Sequence, residues 1–378
     1  MMRRDAVRQL AIGLWLALSA HCVAAQTTLG MVVLDGHNGK GPITVFYPSS
    51  TPSSPLKRGE FTLDVAKQGS IQPGNRRLVL ISHGSGGGSS EFADLARTLV
   101  NAGFVVAVPE HRGDNYRDQS LVGPESWKLR PGEVSAAIDT LKSDARFGIS
   151  LDVDRVGVYG ASAGGLTALT LAGGRWSPAN FMRHCLAHME DDFPACVGLT
   201  TSLRGDFLDS IKLATARSVL RARFNDETWY SHTDPRIHAV VASVPMAAPI
   251  DMGSMAQPRV AVGLMEAEQD RWLAPRFHID AVRTACASCE VLADIPNAGH
   301  GSFFSPWPAA LAQSITPMLV DPPDFARGDL PAVYERVATF FRGTFPPGGS
   351  EGTGVVERPS CVPQGLAPSA WYKAAVSE

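Results

Sequence analysis

Short runs of β-branched and apolar residues alternate along this chain with segments whose apolar residues recur every three or four positions. The runs predict strands at 44–47, 78–81, 104–108, 155–159, 238–244, 259–265 and 290–295. Helical spacing occurs at 91–102, at 131–145 where Pro131 opens the helix, at 166–171 and at 332–341. Such alternation is typical of a mostly parallel sheet covered by helices, so the sequence predicts an α/β fold.

One stretch between residues 174 and 235 breaks this alternation. It is charged, helix-like and without a strand signal, which predicts a helical cap at about 175–235, inserted before the strand at 238–244. The predicted catalytic domain therefore spans 26–345. A region rich in Pro and Gly at 346–378 predicts an irregular tail.

The first 25 residues have the pattern of a signal peptide. Arg3, Arg4 and Arg8 precede an uncharged stretch at 10–20, and small residues follow up to Ala25, where we expect cleavage. The apolar stretch is much shorter than the ~20 residues that a bilayer needs, so no stable membrane anchor is expected. The sequence predicts a periplasmic or secreted protein.

Charge and cysteine content bear on the partners and on the disulfides of the protein. The chain has 34 Lys and Arg against 37 Asp and Glu, a net charge of −3, which does not suggest a nucleic-acid partner. Five of the six Cys remain after cleavage, in a compartment where disulfides persist. We expect a bridge between Cys185 and Cys196, whereas the pairing of Cys286, Cys289 and Cys361 stays open.

The candidate nucleophile lies in Gly160-Ala161-Ser162-Ala163-Gly164, between a predicted strand and a predicted helix. A G-x-S-x-G sequence in that setting is the nucleophile elbow, a strained turn that exposes the serine hydroxyl. The flanking glycines let the backbone approach closely there. We therefore predict Ser162 as the nucleophile.

A serine needs a base, and the base needs a carboxylate that orients it. His300 follows the strand at 290–295 in a Gly-containing turn, and it is the best candidate among ten histidines. The order serine, acid, histidine along the chain favours Asp270, in the loop after the strand at 259–265. Asp251, after the strand at 238–244, is the alternative acid.

The Gly-rich segment at 82–88 follows the strand at 78–81, where this type of fold supplies half of an oxyanion hole. Hydrolysis of an ester passes through an oxyanion that backbone N–H groups stabilise. The predicted donors are the amides of Ser85 and Ala163. The segment has no Gly-Lys-Ser/Thr ending, which disfavours a phosphate-binding loop.

Two alternatives involve metal ions. Zinc at Cys286-x-x-Cys289 is disfavoured because the sequence has no second Cys/His pair at the spacing of a zinc finger. His184 and His188 could bind a metal together with Cys185, but a solvated helical face is the favoured interpretation. No metal or cofactor is expected.

Several stretches resemble one known group of proteins. They are 81–87, 109–115, 130–134, the elbow and 297–300, and the resemblance spans about 30–345. The chain resembles the α/β-hydrolases related to platelet-activating-factor acetylhydrolase, including bacterial exported proteins described as predicted dienelactone hydrolases. The resemblance implies an α/β-hydrolase fold, a Ser-His-Asp triad and esterase-type activity. The acetylhydrolases place their acid after the earlier strand, which is the argument for Asp251. Ser162 stands where true dienelactone hydrolases carry a cysteine.

The predicted activity is therefore cleavage of a carboxylic ester, either small or lipid-like, through an acyl-Ser162 intermediate with His300 as the base. The same residues could serve a peptidase or an acyltransferase. A non-catalytic binding module on a hydrolase scaffold is the alternative from another class, since a fold does not fix a function. Acyl length and oligomeric state stay open.

Overall fold

A computed structural model describes residues 27–36, 40–198, 200–308, 311 and 317–345. The predicted signal peptide, the predicted tail and Cys361 lie outside these residues. In this part of the chain, no helix is long and apolar enough to cross a membrane.

The centre of the fold is one twisted sheet, to which the described residues contribute ten strands. These strands are β1 (Thr28–Leu34), β2 (Ile43–Ser49), β3 (Ser54–Arg58), β4 (Phe61–Lys67), β5 (Arg77–Ser82), β6 (Val105–Pro109), β7 (Asp152–Ala161), β8 (Ile237–Ser243), β9 (Ala261–Ala267) and β10 (Glu290–Ile295). Their spatial order is β10-β9-β8-β7-β5-β6-β2-β1-β4-β3. All neighbours from β10 to β6 pair in parallel, whereas β2 pairs antiparallel with both β6 and β1.

Helices cover both faces of this sheet. The described residues form α1 (Ala93–Asn101), α2 (Pro124–Ser143), α3 (Ala163–Leu171), α4 (Pro178–Ala187), α5 (Phe193–Val197), α6 (Asp209–Arg223), α7 (Ile279–Ala285) and α8 (Leu330–Thr344). Short 3₁₀ turns lie at Ser90–Phe92, Met252–Met255, Pro275–Phe277, Pro317–Leu319 and Arg327–Asp329. Apolar residues of α1 and α8 form the core on one face, and those of α2, α3 and α7 form the core on the other.

Continuous apolar runs become central strands because helices bury them from both sides. β5, β6 and β8 each carry such a run, and all but His238 of their residues are buried. The predicted mostly parallel α/β sheet is therefore confirmed. All seven predicted strands fall on observed ones, within a few residues of their ends.

The strands β1, β3 and β4 and the helix α7 were not predicted, and β3 is the last strand at one edge of the sheet. β3 is largely exposed and contains Pro55 and Lys57, so it lacks the apolar pattern of a strand. Edge strands often carry such residues, which block pairing with other chains.

The prediction that Pro131 opens a helix was wrong. α2 begins seven residues earlier, at Pro124, and Pro131 lies in its interior. An interior proline costs about 3 kcal/mol because it removes a backbone hydrogen bond. Packing of the preceding turn compensates, since Trp127 contacts the rings of Trp176 and Phe181 at centroid distances of 5.8 and 5.4 Å.

The segment that follows α3 carries α4, α5 and α6 and lies beside the carboxyl end of the sheet. Trp176 and Tyr230 form a backbone bridge where this segment leaves and rejoins the body. A disulfide joins Cys185 of α4 to Cys196 of α5, as the sequence predicts, and a second joins Cys286 to Cys289. Both bridges fit an oxidising compartment.

Removing the first bridge should lower the stability of the protein. The two cysteines are 11 positions apart, for which chain entropy predicts a loss of about 2–3 kcal/mol of unfolding free energy in a Cys185→Ser/Cys196→Ser variant. Urea denaturation measures the loss. A Cys286→Ser/Cys289→Ser variant, which opens a ring of separation 3, should lose less. Equal stability of the first variant and the wild type would contradict the assignment.

Candidate active site

All the predicted site residues follow the carboxyl ends of parallel strands. Ser85 comes after β5, Ser162 after β7, Asp251 after β8, Asp270 after β9 and His300 after β10. Parallel strands present these ends at one edge of the sheet, where ligands of open α/β sheets bind. The fold therefore places the candidates on one side of the molecule.

Ser162 sits in a strained turn between β7 and α3. Its φ is 57° and its ψ is −118°, a backbone conformation that L residues rarely adopt. Its own N–H donates to Ser243 O at 3.1 Å, and its carbonyl accepts from Met246 N at 3.0 Å. The end of β8 and the residues after it thus support the turn, and the serine remains half-buried.

Glycine is required on both sides of Ser162. A Cβ atom on Gly160 would lie 1.9 Å from Gly164 O, and one on Gly164 would lie 1.9 Å from Ser82 O. No side chain fits at either distance. The turn can pack against β5 and α3 only because both positions lack a side chain.

His300 is hydrogen-bonded to Asp270. Its Nδ1 lies 2.7 Å from Asp270 Oδ2, and both side chains are buried. The other carboxylate oxygen, Oδ1, accepts from the amides of Trp272 and Leu273, each at 2.8 Å. With one oxygen held by its own loop, Asp270 presents the second oxygen to the imidazole in a fixed direction.

Backbone hydrogen bonds join the loop after β9, which carries Asp270 and is called the acid loop, to the loop after β10, which carries His300. Glu268 N donates to Ile295 O at 3.2 Å, and Gln269 N donates to Ala298 O at 2.9 Å. The Gln269 side chain adds a bond to Pro296 O at 3.1 Å. These contacts continue the pairing of β9 with β10 beyond the sheet, and they position Asp270 beside His300.

Asp251 lies elsewhere. It caps the turn Met252–Met255 by accepting from Gly253 N at 3.1 Å, and it pairs with Arg175 at 2.5 Å. The structure thus brings Asp270, and not Asp251, to His300.

The Gly-rich loop after β5 passes directly beside Ser162. A Cβ atom on Gly84 would lie 3.4 Å from Ser162 Cβ, which is van der Waals contact, so the loop and the serine side chain are direct neighbours. Ser85 and Ala163 line the same cavity as Ser162. Neither of their amides has an acceptor among the described residues, which leaves both free for a ligand oxygen.

A buried ion pair between Asp114 and Arg130 holds this loop. Asp114 Oδ1 accepts from Ser85 Oγ at 2.6 Å and from Gly86 N at 3.0 Å, and Oδ2 lies 2.8 Å from Arg130. Arg130 also donates to His83 O at 2.6 Å. Burial alone would raise the pKa of Asp114, but the Arg130 guanidinium and the hydroxyl donors lower it to about 2.

A second Ser-His-carboxylate set lies beneath the loop. His111 contacts Ser82 Oγ at 2.8 Å through Nε2 and Glu133 at 2.7 Å through Nδ1. Burial, followed by the nearby Arg130 charge, lowers the pKa of His111 well below its usual range, so the imidazole stays neutral. All three side chains are buried and none lines the cavity. The set therefore supports the loop and cannot reach a substrate.

Sequence reasoning missed this support. His111 was given no role, and no contact was expected between the stretches at 109–115 and 130–134, which carry part of the family resemblance. A sequence signal for this support was available, because both stretches contain acidic and basic residues close to a predicted strand or helix. Only the fold shows that they meet.

A cavity of about 1350 Å³ opens beside Ser162 and His300. Its inner wall is apolar and aromatic, and the segment that carries α4 to α6 contributes much of it. Its aromatic side chains include Trp127, Phe181, Phe224, Trp272, Phe304 and Trp307. Glu91 is an ionisable residue in this apolar lining. Burial raises the pKa of its carboxyl to about 7, and Gly88 N donates to it at 2.8 Å.

Three other side chains come close enough to hold a metal ion. His184, Asp192 and His278 place one ligand atom each within 4.8 Å of one another. However, His278 Nδ1 accepts from Ala247 N at 3.0 Å, so Nε2 carries the proton and donates to Asp192 Oδ2 at 3.0 Å. A protonated Nε2 cannot coordinate a metal, and the cluster acts as a hydrogen-bonded clamp.

This clamp corrects the interpretation of His184 as part of a solvated helical face. His184 Nε2 lies 2.8 Å from Asp192 Oδ2, and its ring packs against Phe277 at a centroid distance of 5.2 Å. Cys185 is in a disulfide and is not a ligand. The clamp joins α4 and α5 to the residues that follow the acid loop.

A sequence model described as "Serine aminopeptidase, S33" matches residues 73–306, more than half of the chain. The chain belongs to this family of α/β-hydrolases. The matched range runs from β5 through His300 and includes Ser85, Ser162 and Asp270. The protein is thus a serine hydrolase of the α/β class. Among curated proteins, none gives a significant sequence match.

A solved structure shows the same fold. A ferulic acid esterase from Streptomyces cinnamoneus is 16% identical, with a TM-score of 0.50 over 90% of this chain and 96% of the esterase. A protein from Klebsiella pneumoniae subsp. pneumoniae MGH 78578, assigned as a dienelactone hydrolase, is 13% identical. Its TM-score is 0.44 over 83% of this chain and 98% of that protein. At 16% identity the likeness to the esterase concerns the fold alone.

Breaking the buried pair beneath the Gly-rich loop should destabilise the protein. Asp114→Asn leaves Arg130 buried without its counter-charge, which typically costs about 3–5 kcal/mol of unfolding free energy. Urea denaturation at pH 7 measures the loss. Glu227→Gln is the matched control, because the Arg183–Glu227 pair is exposed and should change stability by about 0.5 kcal/mol or less.

The loss should also depend on pH. The pKa of Asp114 is depressed to about 2 in the folded protein, against about 3.9 in an unfolded chain. Its stabilisation is therefore complete above pH ~4 and disappears as the pH falls towards ~2. The difference between wild type and Asp114→Asn should shrink over that range. A difference that stays constant would show that the carboxylate charge is not responsible.

Proposed function

We propose that this protein cleaves a carboxylic ester through an acyl-Ser162 intermediate, with His300 as the base and Asp270 as its orienting acid. The observation that carries the proposal is the Asp270–His300 hydrogen bond, placed in the same cavity as the strained elbow of Ser162. Nucleophile, base and acid occur in the chain order that this fold requires.

The proposed reaction begins with His300. Because Nδ1 is bonded to Asp270, Nε2 is the nitrogen left to take the Ser162 proton as Oγ attacks the ester carbonyl. The protonated imidazole then gives that proton to the departing alcohol, which leaves an acyl-enzyme. Water is the second substrate, and His300 activates it for attack on the acyl group. The proposal includes no cofactor in either the formation or the hydrolysis of the acyl-enzyme.

The tetrahedral intermediate carries an oxyanion that needs donors. The amides of Ser85 and Ala163 support this role because both residues line the cavity and neither amide has an acceptor in the described chain. Donors that are fixed before the reaction stabilise the charge without reorganisation, typically by about 3–4 kcal/mol each. Asp114 and Arg130 would then act indirectly, by fixing the loop that presents Ser85.

The cavity favours a bulky, apolar substrate over a small acetyl ester. Ligand pockets usually measure about 300–1,000 Å³, whereas this one measures about 1350 Å³ and has a largely aromatic lining. An aryl ester or a long-chain, lipid-like ester would fill it. Export to the periplasm or beyond, after cleavage of residues 1–25, belongs to the same proposal. The two disulfides support it.

Amide cleavage is the second candidate, because the chain belongs to a family described as serine aminopeptidases. Comparing p-nitrophenyl esters of increasing acyl length with aminoacyl p-nitroanilides separates the two. We expect hydrolysis of the esters, with activity rising towards longer acyl chains. Preference for the anilides would make the protein a peptidase.

Replacing the nucleophile should abolish ester hydrolysis without changing the fold. Ser162→Ala deletes only the attacking oxygen, and loss of a triad serine typically lowers kcat about a millionfold. The matched control is Ser120→Ala, which removes another hydroxyl from the cavity wall and should leave the rate nearly unchanged. Substantial activity in Ser162→Ala, with an unchanged circular dichroism spectrum, would refute the proposal.

The two candidate acids can be separated directly. Asp270→Asn removes the charge that orients His300 and should lower kcat by about four orders of magnitude. Asp251→Asn disturbs a turn and an exposed pair with Arg175, so kcat should stay close to normal. Kinetics of both variants, measured side by side, give the answer. A crippled Asp251→Asn beside a normal Asp270→Asn would reverse the assignment.

A further inference from the structure

Exposed apolar side chains gather at the mouth of the cavity. Of the large apolar residues that the described chain exposes, Tyr116, Val122, Ile211 and Val219 line the cavity. Phe207 is 83% exposed, and it precedes α6 together with Leu208. Contiguous exposed apolar groups of this kind mark interaction surfaces in otherwise polar exteriors.

α6 contributes part of this surface. With 3.6 residues per turn, Ile211, Thr215, Val219 and Ala222 fall on one face, and all four are exposed. Only Ala216 and Leu220 of this helix are buried, on the side towards the body. The helix therefore has a second face, apolar and weakly polar, that nothing in the described structure covers. We call this face, with Phe207 and Leu208, the α6 surface.

Basic residues flank the α6 surface. Residues 204–223 contain five Lys or Arg and two Asp, in a chain whose net charge is −3. Lys212 pairs with Asp209 at 2.7 Å and borders the cavity. Arg204, three residues before Phe207, and Arg221, near the end of α6, are both exposed, and within the described residues their side chains form no ion pair or hydrogen bond. The surface thus combines apolar side chains with uncompensated positive charge.

We propose that the α6 surface binds an anionic lipid surface. An amphipathic helix with exposed apolar side chains and Lys or Arg beside them lies in the membrane interface, and its basic residues contact anionic headgroups. The observation that identifies this occupant is charge complementarity. A second copy of the chain fits less well, because a two-fold contact would bring two positive α6 surfaces together.

Docking in this way would place the cavity mouth against the lipid. Ile211, Thr215 and Val219 belong both to the α6 surface and to the cavity wall. An ester carried in the lipid surface would then enter without crossing water. This last step rests on the proposed ester hydrolysis, whereas the binding itself does not.

Co-sedimentation with vesicles tests the binding. We compare vesicles of phosphatidylcholine with vesicles of an equal mixture of phosphatidylcholine and phosphatidylglycerol. The wild type should partition more strongly onto the anionic vesicles, and added salt should weaken that preference. Ser162→Ala should bind as the wild type does, so failure of the hydrolase proposal leaves this test intact.

Two double variants separate the apolar contribution from the charge. Arg204→Gln/Arg221→Gln should lose about 25-fold in partition onto anionic vesicles, because each basic residue near such a surface contributes about fivefold. Phe207→Ser/Leu208→Ser should lose about tenfold or more on both kinds of vesicle. None of these four residues lines the cavity. Hydrolysis of a dissolved short-chain ester should therefore be unchanged.

Matched controls lie away from the α6 surface. Ile149→Ser removes an apolar side chain that is 89% exposed, and Lys67→Gln/Lys142→Gln removes two exposed charges. Neither should change vesicle binding. If the α6 variants bind as the controls do, the proposal is wrong. It is also wrong if the wild type ignores vesicles and forms a dimer that Phe207→Ser/Leu208→Ser disperses, since the surface would then join two copies of the chain.

Discussion

The backbone of Ser162, held at a positive φ, is the constraint on which the rest of the site depends. A residue other than glycine occupies this conformation only when its surroundings enforce it. Here the end of β8 and the residues after it hydrogen-bond to the N–H and the carbonyl of Ser162, and the glycines at 160 and 164 allow β5 and α3 to approach the turn. The strain fixes where the hydroxyl points, and so fixes where a base and an oxyanion donor must lie.

The neighbouring strands meet that requirement through two kinds of contact. On one side, backbone bonds from the end of β9 to the loop after β10 place Asp270 beside His300. On the other side, the buried ion pair of Asp114 and Arg130 holds the loop after β5 against the elbow. The clamp of His184, Asp192 and His278 then joins α4 and α5 to the residues that follow the acid loop. Each loop is thus fixed by polar contacts beneath or beside it.

Much of this was predictable from the sequence, because the relevant signals are local. The G-x-S-x-G turn, the apolar runs before it and the order of serine, acid and histidine all lie within short windows, and the strands at 78–81 and 290–295 fell where expected. The choice between Asp270 and Asp251 was only a preference at that stage. Pairing across β9 and β10 decides which carboxylate meets His300, and no local pattern encodes it.

Other features depended on contacts between distant residues. Asp114 and Arg130 are 16 positions apart, and Asp192 and His278 are 86 apart, so their pairing follows only from the complete fold. The prediction for Pro131 was wrong because local propensity favours proline at a helix start. The packing of Trp127 instead stabilises the part of α2 that precedes Pro131. The exposed apolar face of α6 could not be predicted either. Its sequence is typical of an ordinary charged helix, and only the burial of each residue shows which face is exposed.

A crystal structure of the protein after reaction with an alkyl fluorophosphonate tests the central claim most directly. We expect a covalent bond from phosphorus to Ser162 Oγ, with the phosphoryl oxygen about 2.7–3.1 Å from the amides of both Ser85 and Ala163. His300 should remain bonded to Asp270, with its Nε2 facing the adduct. No adduct at Ser162, or a phosphoryl oxygen that points away from both amides, would contradict the account.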